Sequence, residues 1–291
     1  YASKLSPGQQ TMFAKYPTFR MDVYQTRRSA SFPERIYRMT KQNAVTAKMI
    51  GQGAGVENSA EGFPFPIPQN GYEVIWNHKL KYKGVAVRRW ANQAAPTATG
   101  AYTPIRIREE LLGLYWKEGN TIADINNVLT YFYQEVLAPA RLAGNVLLVH
   151  ETLNQEAQQR QAWVYNPGQR RVRKAPNVAY DNPGTASDGL RTNDMTDMFN
   201  YKIHAKGLDY KDILRPGHIN PDLMRYELHR VWVVDATLRQ GFRHINNRRT
   251  FFLDEDSWQI VMIDHYDSQG QMWRYSEAAT INYYEQPMYW T

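Results

Sequence analysis

The chain contains no cysteine, which excludes a disulfide scaffold, cysteine-ligated zinc ribbons and thiol catalysis. Cysteine avoidance is a common habit of Gram-negative periplasmic proteins, where a stray thiol would be oxidised. No apolar run approaches the roughly 20 residues that a membrane-spanning helix needs. No charged-then-apolar leader opens the chain, which starts Tyr1-Ala2-Ser3-Lys4; this is how an exported, trimmed protein would look, and an internal start is expected. Catalytic signatures are missing too. There is no HExxH and no GxSxG elbow, and the glycine-rich 51–55 lacks the Lys-Ser/Thr of a phosphate loop. The seven histidines include no i,i+4 pair, so no metal or cofactor is expected. Strong charge of one sign is also lacking. A net +7 spread over 22% charged residues of both signs is ordinary surface chemistry, not a nucleic-acid footprint.

Aromatic residues are abundant, at 13% of the 291 residues. The chain reads as a single domain over 1–291 with two unlike parts. Residues 1–70 are a helical, Pro/Phe-rich covering segment. Ser6-Pro7 caps a short helix that ends before Pro17, and a second helix follows Ser31-Phe32-Pro33-Glu34. Segment 63–68 alternates Phe or Ile with proline and can be neither helix nor central strand, so it should run extended across something apolar.

From residue 71 the period changes to two. Val74, Trp76, His78, Leu80 and Tyr82 share one face of a half-buried strand over 73–82, with 85–90 as its expected hairpin partner. Further strands are expected at 105–114, 129–136, 145–151, 161–165, 169–173, 227–238, 243–253, 259–266 and 271–275, joined by turns such as Asn166-Pro167-Gly168. Short connections imply antiparallel neighbours. The fold class is therefore α+β: a large curved antiparallel sheet covered by a few helices. A twisted sheet of about ten strands curls, and its apolar side must be filled, covered or occupied by a ligand.

The expected ligand wall is aromatic and apolar: Trp76, Leu80, Tyr82, Trp163, Tyr165, Trp232 and Trp273. Arg171 and Arg173, on the return strand of the 163–174 hairpin, are candidates for an anionic headgroup; the alternative is a solvated edge blunted by basic residues. Asp254, Asp256 and His265 offer acid/base groups, although neighbours on a tight turn rarely converge.

Four segments carry a family resemblance: Arg141-Leu142-Ala143-Gly144; the run from Ala162-Trp163-Val164-Tyr165-Asn166-Pro167-Gly168 to Arg173; Arg225-Tyr226-Glu227-Leu228-His229-Arg230-Val231-Trp232; and Leu253-Asp254-Glu255-Asp256-Ser257-Trp258. With segment 63–68 and Trp76-Asn77-His78, the pattern resembles an uncharacterised Gram-negative family of secreted, outer-membrane lipoprotein-sorting-like proteins near the carriers LolA and LolB. The run from Asp264 to Trp273 is similar to the penultimate hairpin of those carriers. The resemblance implies a half-open β-barrel with a helical lid over a hydrophobic cavity, periplasmic residence, and a non-enzymatic carrier role for acyl or other amphipathic ligands. It also implies an RND-type exporter and an outer-membrane protein as partners. It supplies no ligand-binding residues. After Asn200 the family pattern calls for another strand pair, so residues are expected to be absent between Asn200 and Tyr201. The competing readings are an envelope interaction protein that docks such an exporter without binding lipid, and an envelope hydrolase using Asp254, Asp256 or His265.

Overall fold

Ser6 starts the first helix as the sequence predicts. Its hydroxyl accepts from the Gln9 backbone while the Gln9 side chain returns to the Ser6 N–H, a capping box with proline at the first turn. The computed structural model describes residues 1–94, 96–97, 99–175 and 210–291. Among them are three helices of nine residues or more: α1 (Pro7–Lys15), α2 (Glu34–Thr46) and α3 (Gly71–Lys79). On α2, buried Asn43 reaches across to the extended stretch, donating to the Ala60 and Phe63 carbonyls at 3.0 and 3.3 Å. Segment 63–68 has no helix or strand. Phe63 is buried between α2 and the rest of the protein, as the alternation of rings and prolines requires.

Ten antiparallel strands are dealt between two sheets. The first holds β1 (Ala86–Gln93), β2 (Ile105–Gly113), β3 (Val128–Ala138), β4 (Val146–Thr152), β5 (Gln161–Asn166) and β6 (Arg171–Lys174), in that spatial order. It is a pure meander and is not closed, since among the described residues β1 and β6 each have one partner. The second holds β7 (Val231–Thr237), β8 (Arg248–Asp254), β9 (Ile260–Tyr266) and β10 (Met272–Glu277). Short ribbons complete the described chain, among them Val23–Tyr24 paired in parallel with Tyr226–Glu227. The protein is thus mostly antiparallel β with helices laid on open sheets.

One expected strand is a helix. Residues 73–82 alternate apolar and polar, but the structure winds 71–79 into α3, with Asn70 accepting from the Glu73 N–H at 3.1 Å. A helix with a wide buried face buries the same residues. Val74, Asn77 and His78 lie at i, i+3 and i+4, with Trp76 and Leu80 beside them. The N-cap pair Asn70 and Glu73 was the signal that period two concealed. Consequently 85–90 has no partner there, and β1 pairs with β2 instead.

Two apolar clusters lie under the helices. Phe32, Ile36, Phe63 and Val74 pack against Phe251, Leu253, Trp258 and Ile263 of the four-stranded sheet and its turn. Trp76 and Leu80 pack with Tyr115, Trp116, Leu129 and Leu153 at one end of the six-stranded sheet. A third, smaller cluster of Ala91, Ile105, Ile107 and Val136 fills the other end. The expected break between Asn200 and Tyr201 lies outside the described residues.

Candidate functional site

Strand register sorts the six-stranded sheet into an inner face, which carries the buried residues, and an outer face. Three rows of cross-strand neighbours form the middle of the inner face. The first runs Gly113, Thr130, Glu151; the second Val87, Leu111, Phe132, Val149, Ala162; the third Arg89, Glu109, Gln134, Leu147, Val164, Arg173. The second row is wholly apolar, and Leu147 and Val164 extend it into the third. Phe132, Leu147 and Val164 are half-buried. Among the described residues, none of these three belongs to an apolar cluster. The result is a hydrophobic strip on the core-facing side of the sheet, left between the two clusters that fill its ends.

Charged groups border this strip. Glu109 is 2% exposed; it accepts from Arg89 Nε at 2.5 Å and from the Gln134 amide at 2.8 Å. Arg89 in turn stacks on the Trp290 ring at 4.6 Å. Glu151 accepts from Arg160 Nε at 2.6 Å. Lys79, the last residue of α3, holds its Nζ 3.8 Å from the centre of the Trp76 ring. Lys79 and Lys83 both have pKa values lowered to about 8, by burial first, with nearby cations adding to it and Glu151 opposing.

The sequence-predicted residues do not converge. Trp76 and Leu80 are 2% and 0% exposed and are built into a core cluster, with Tyr82 packed half-buried against two clusters. Trp163 and Tyr165 do share a strand face, but it is the outer one. The Trp163 ring lies 4.6 Å from His150, which lies 4.6 Å from Tyr131. Beside this ladder is an open depression of about 330 Å³ lined by Arg88, Glu110, Leu112, Tyr131 and Tyr133. Arg173 pairs with Val164 and Arg171 with Asn166. Both arginines therefore stand on the inner side of the exposed edge strand, across the sheet from Trp163 and Tyr165. A groove shared by these aromatics and arginines is ruled out by register. Trp232 stacks on Trp258 at 6.1 Å with an 11° angle between rings, and Trp273 donates to Asn246 at 3.3 Å. Both are in the four-stranded part of the molecule.

Two carboxylates of the acidic turn do converge, but with His229 instead of His265. Asp254, Asp256 and His229 bring ligand atoms within 4.8 Å of one another. The donor set is already used. Asp254 accepts from His229 at 2.9 Å and from the Ser257 hydroxyl at 2.6 Å, and Arg28 pairs with Asp256. A guanidinium in that position opposes a cation, and Ser257 gives its proton to a carboxylate instead of facing a base. His265 lies on the opposite face of the sheet, bonded to Ser276 at 2.9 Å.

Sequence reasoning missed Lys79, Lys83, Glu151 and Arg160. The strand reading of 73–82 put Lys79 on a solvated face, whereas the helix carries it to the end of the inner strip. No spacing signal links residues 79 and 83 to 151 and 160, because only the meander brings them together.

A half-open, helix-covered antiparallel sheet with an apolar inner strip is the class of protein these features define. The chain belongs to the DUF1329 family of proteins of unknown function, whose family model matches residues 1–200 and 200–291. An uncharacterized protein of Pseudomonas aeruginosa is 48% identical over 313 aligned residues, covering 100% of this chain and 69% of that protein. Among solved structures, a domain described as outer membrane lipoprotein-sorting from Vibrio parahaemolyticus aligns with a TM-score of 0.47 at 12% identity, over 74% of this chain and 79% of that one. A DUF1329 family protein from Desulfovibrio piger aligns with a TM-score of 0.47 at 14% identity, over 75% and 81%. A LolA superfamily protein from Nitrosomonas europaea reaches 0.36 at 14% identity, over 69% and 73%. These are likenesses in the course of the chain, and none assigns a ligand. Among the described residues no helix is long and apolar enough to cross a membrane.

Proposed function

We propose that this protein is a periplasmic carrier-like binding protein that holds an acyl chain or another amphipathic ligand against the inner face of the six-stranded sheet. The observation that supports this reading is the half-buried apolar strip of Phe132, Leu147 and Val164, which no cluster of described residues fills. Laying an acyl chain there contributes about 0.8 kcal/mol for each buried CH₂, so a saturated tail of moderate length offsets the cost of ordering it. Trp76 and Leu80 serve as the packed floor at one end. Arg171 and Arg173, exposed on the edge strand, meet the ligand at the mouth and speed its encounter more than they tighten its hold. An RND-type exporter and an outer-membrane protein are the partners such a carrier would serve.

The test is organic-solvent extraction of the purified protein for co-purifying lipid, followed by displacement of a fluorescent fatty-acyl probe. Val164→Asp and Leu147→Asp, which place a carboxylate in the strip, should each weaken the probe by about tenfold or more. Probe binding unchanged in both variants would remove the strip from the mechanism. Absence of any probe binding or extractable lipid would favour a docking protein in which the strip is ordinary surface.

A further inference from the structure

This inference rests on the carrier reading and names the chemistry of the group at the inner end of the strip. Lys79 ends α3 and Lys83 lies on the link to β1, just before Gly84 at φ 84. Both lysines are half-buried. The charges of Glu151 and Arg160 act on both, and that of Arg89 acts on Lys83. Each carboxylate there already has its arginine, Arg160 on Glu151 and Arg89 on Glu109. Among the described residues, neither lysine makes a hydrogen bond or an ion pair. Cations thus outnumber carboxylates around these half-buried groups, with Lys83 also acting on Lys81, and the charges of Lys79 and Lys83 are left over. A lysine whose only task is solubility extends its ammonium outwards. Lys79 instead keeps its ammonium on the Trp76 ring, itself 2% exposed.

The apolar strip starts beside these charges, because the Thr130–Glu151 row neighbours the Phe132–Val149 row. We propose that Lys79 and Lys83 are the anion-binding end of the strip and take a phosphate or carboxylate headgroup whose acyl tail runs over Phe132, Val149 and Leu147. A half-buried unpaired ammonium is costly, and a matching anion removes that cost. Glu151 Oε1 is buried with no hydrogen-bond partner among the described residues; it accepts from a hydroxyl or amine on the same headgroup. The lowered lysine pKa values, about 8, leave both groups mostly protonated at neutral pH. Anion binding then draws the values back up. Affinity should fall as pH rises through 8; the other charged or titratable groups facing the two lysines are Glu151, Arg160, Arg89, Lys81 and His78.

Three probes on the full chain test this: lysophosphatidic acid with a 14-carbon tail, the monoacylglycerol of the same tail, and inorganic phosphate. At pH 7 the phosphate lipid should displace the acyl probe about tenfold better than the neutral lipid or more, the size of one charge-assisted contact, and the gap should shrink at pH 9.5. The double variant Lys79→Met, Lys83→Met should bind both lipids alike, with a thermal midpoint unchanged or higher because two desolvated charges are gone. Equal binding of the two lipids by the wild type, or an unchanged gap in the double variant, overturns the proposal. Thermal protection by inorganic phosphate that needs both lysines upholds the anion site and identifies a free anion as its source. If the neutral lipid fails to bind while that protection remains, the carrier reading falls and the anion site stands.

Discussion

The two sheets carry similar apolar strands and meet different fates. The four-stranded sheet has elements packed on both faces. On one face α1 is pinned by Ser6 Oγ and the Gly8 N–H, which donate to buried Asp264 at 3.1 and 3.2 Å. On the other face Ile36, Phe63 and Val74 close over Leu253 and Ile263. Among the described residues, the apolar clusters on the six-stranded sheet lie only at the ends of its inner face. An apolar strand face is therefore not a statement about packing until the covering element is known. Among the described residues, what separates core from uncovered strip is the reach of α2, α3 and the extended 63–68 segment.

Substitutions can break this contrast, beginning with the largest effect. Ile36→Ala or Leu253→Ala, each at a side chain 0% exposed, should cost about 2–5 kcal/mol in urea unfolding, the price of a core cavity. The matching truncation Val164→Ala, on the half-buried strip, should cost less than about 1 kcal/mol. If Val164→Ala proves as damaging as Leu253→Ala, the strip is core and the contrast disappears. Gly8→Ala comes next. A Cβ there would overlap Asp264 Oδ1 and the Tyr275 ring, so α1 must shift off its sheet and unfolding should become easier by about 1–3 kcal/mol. Asn70→Ala removes the α3 cap and should cost about 1 kcal/mol; an effect within error would mean that tertiary packing alone holds α3 in place.

The last prediction concerns pH and distinguishes the two regions by charge. The folded-state values of Lys79 and Lys83 are depressed to about 8, below the value near 10.4 of a solvated lysine. Folding therefore opposes their charge. That penalty is fully present below about pH 8 and fades as pH rises from there toward the unfolded-state value. His229, in the acidic turn, has the reverse sense. Burial lowers its pKa, but the hydrogen bonds to Glu227 and Asp254 outweigh burial and raise it above 6.5. Its stabilising contribution is full below pH 6.5 and is lost as pH climbs through the raised value. Chemical denaturation across pH 5.5–10 should show Lys79→Met/Lys83→Met losing its advantage at the alkaline end, and His229→Gln losing stability mainly at the acidic end. Parallel curves for the wild type and both variants would contradict these assignments.

Much of the fold was legible. The N-cap at Ser6, the ring-and-proline alternation of 63–68 and the 163–174 hairpin appear where local chemistry puts them, because each is set by neighbours in sequence. The 73–82 strand failed because apolar alternation over a few residues is compatible with a broadly buried helix, and burial on all but one flank masked the 3.6 period. The site was less legible than the fold. Trp76 and Leu80 looked suitable for a ligand wall because inward apolar side chains have the same sequence pattern whether or not they meet a partner. Arg171 and Arg173 were correctly grouped on one strand face. Their relation to Trp163 depended on cross-strand pairing, which a turn of four residues, 167–170, settles only once its geometry is formed.

Composition and local patterning determined that this chain is an aromatic-rich, cysteine-free antiparallel β protein with a helical cover, since period-two patterning and turn residues act over a few positions and need no distant partner. Tertiary structure decided which apolar faces are sealed and where Lys79, Lys83, Glu151 and Arg160 meet. Those outcomes depend on contacts between residues far apart in sequence, and desolvation and ion pairing have no value until the chain has closed around them.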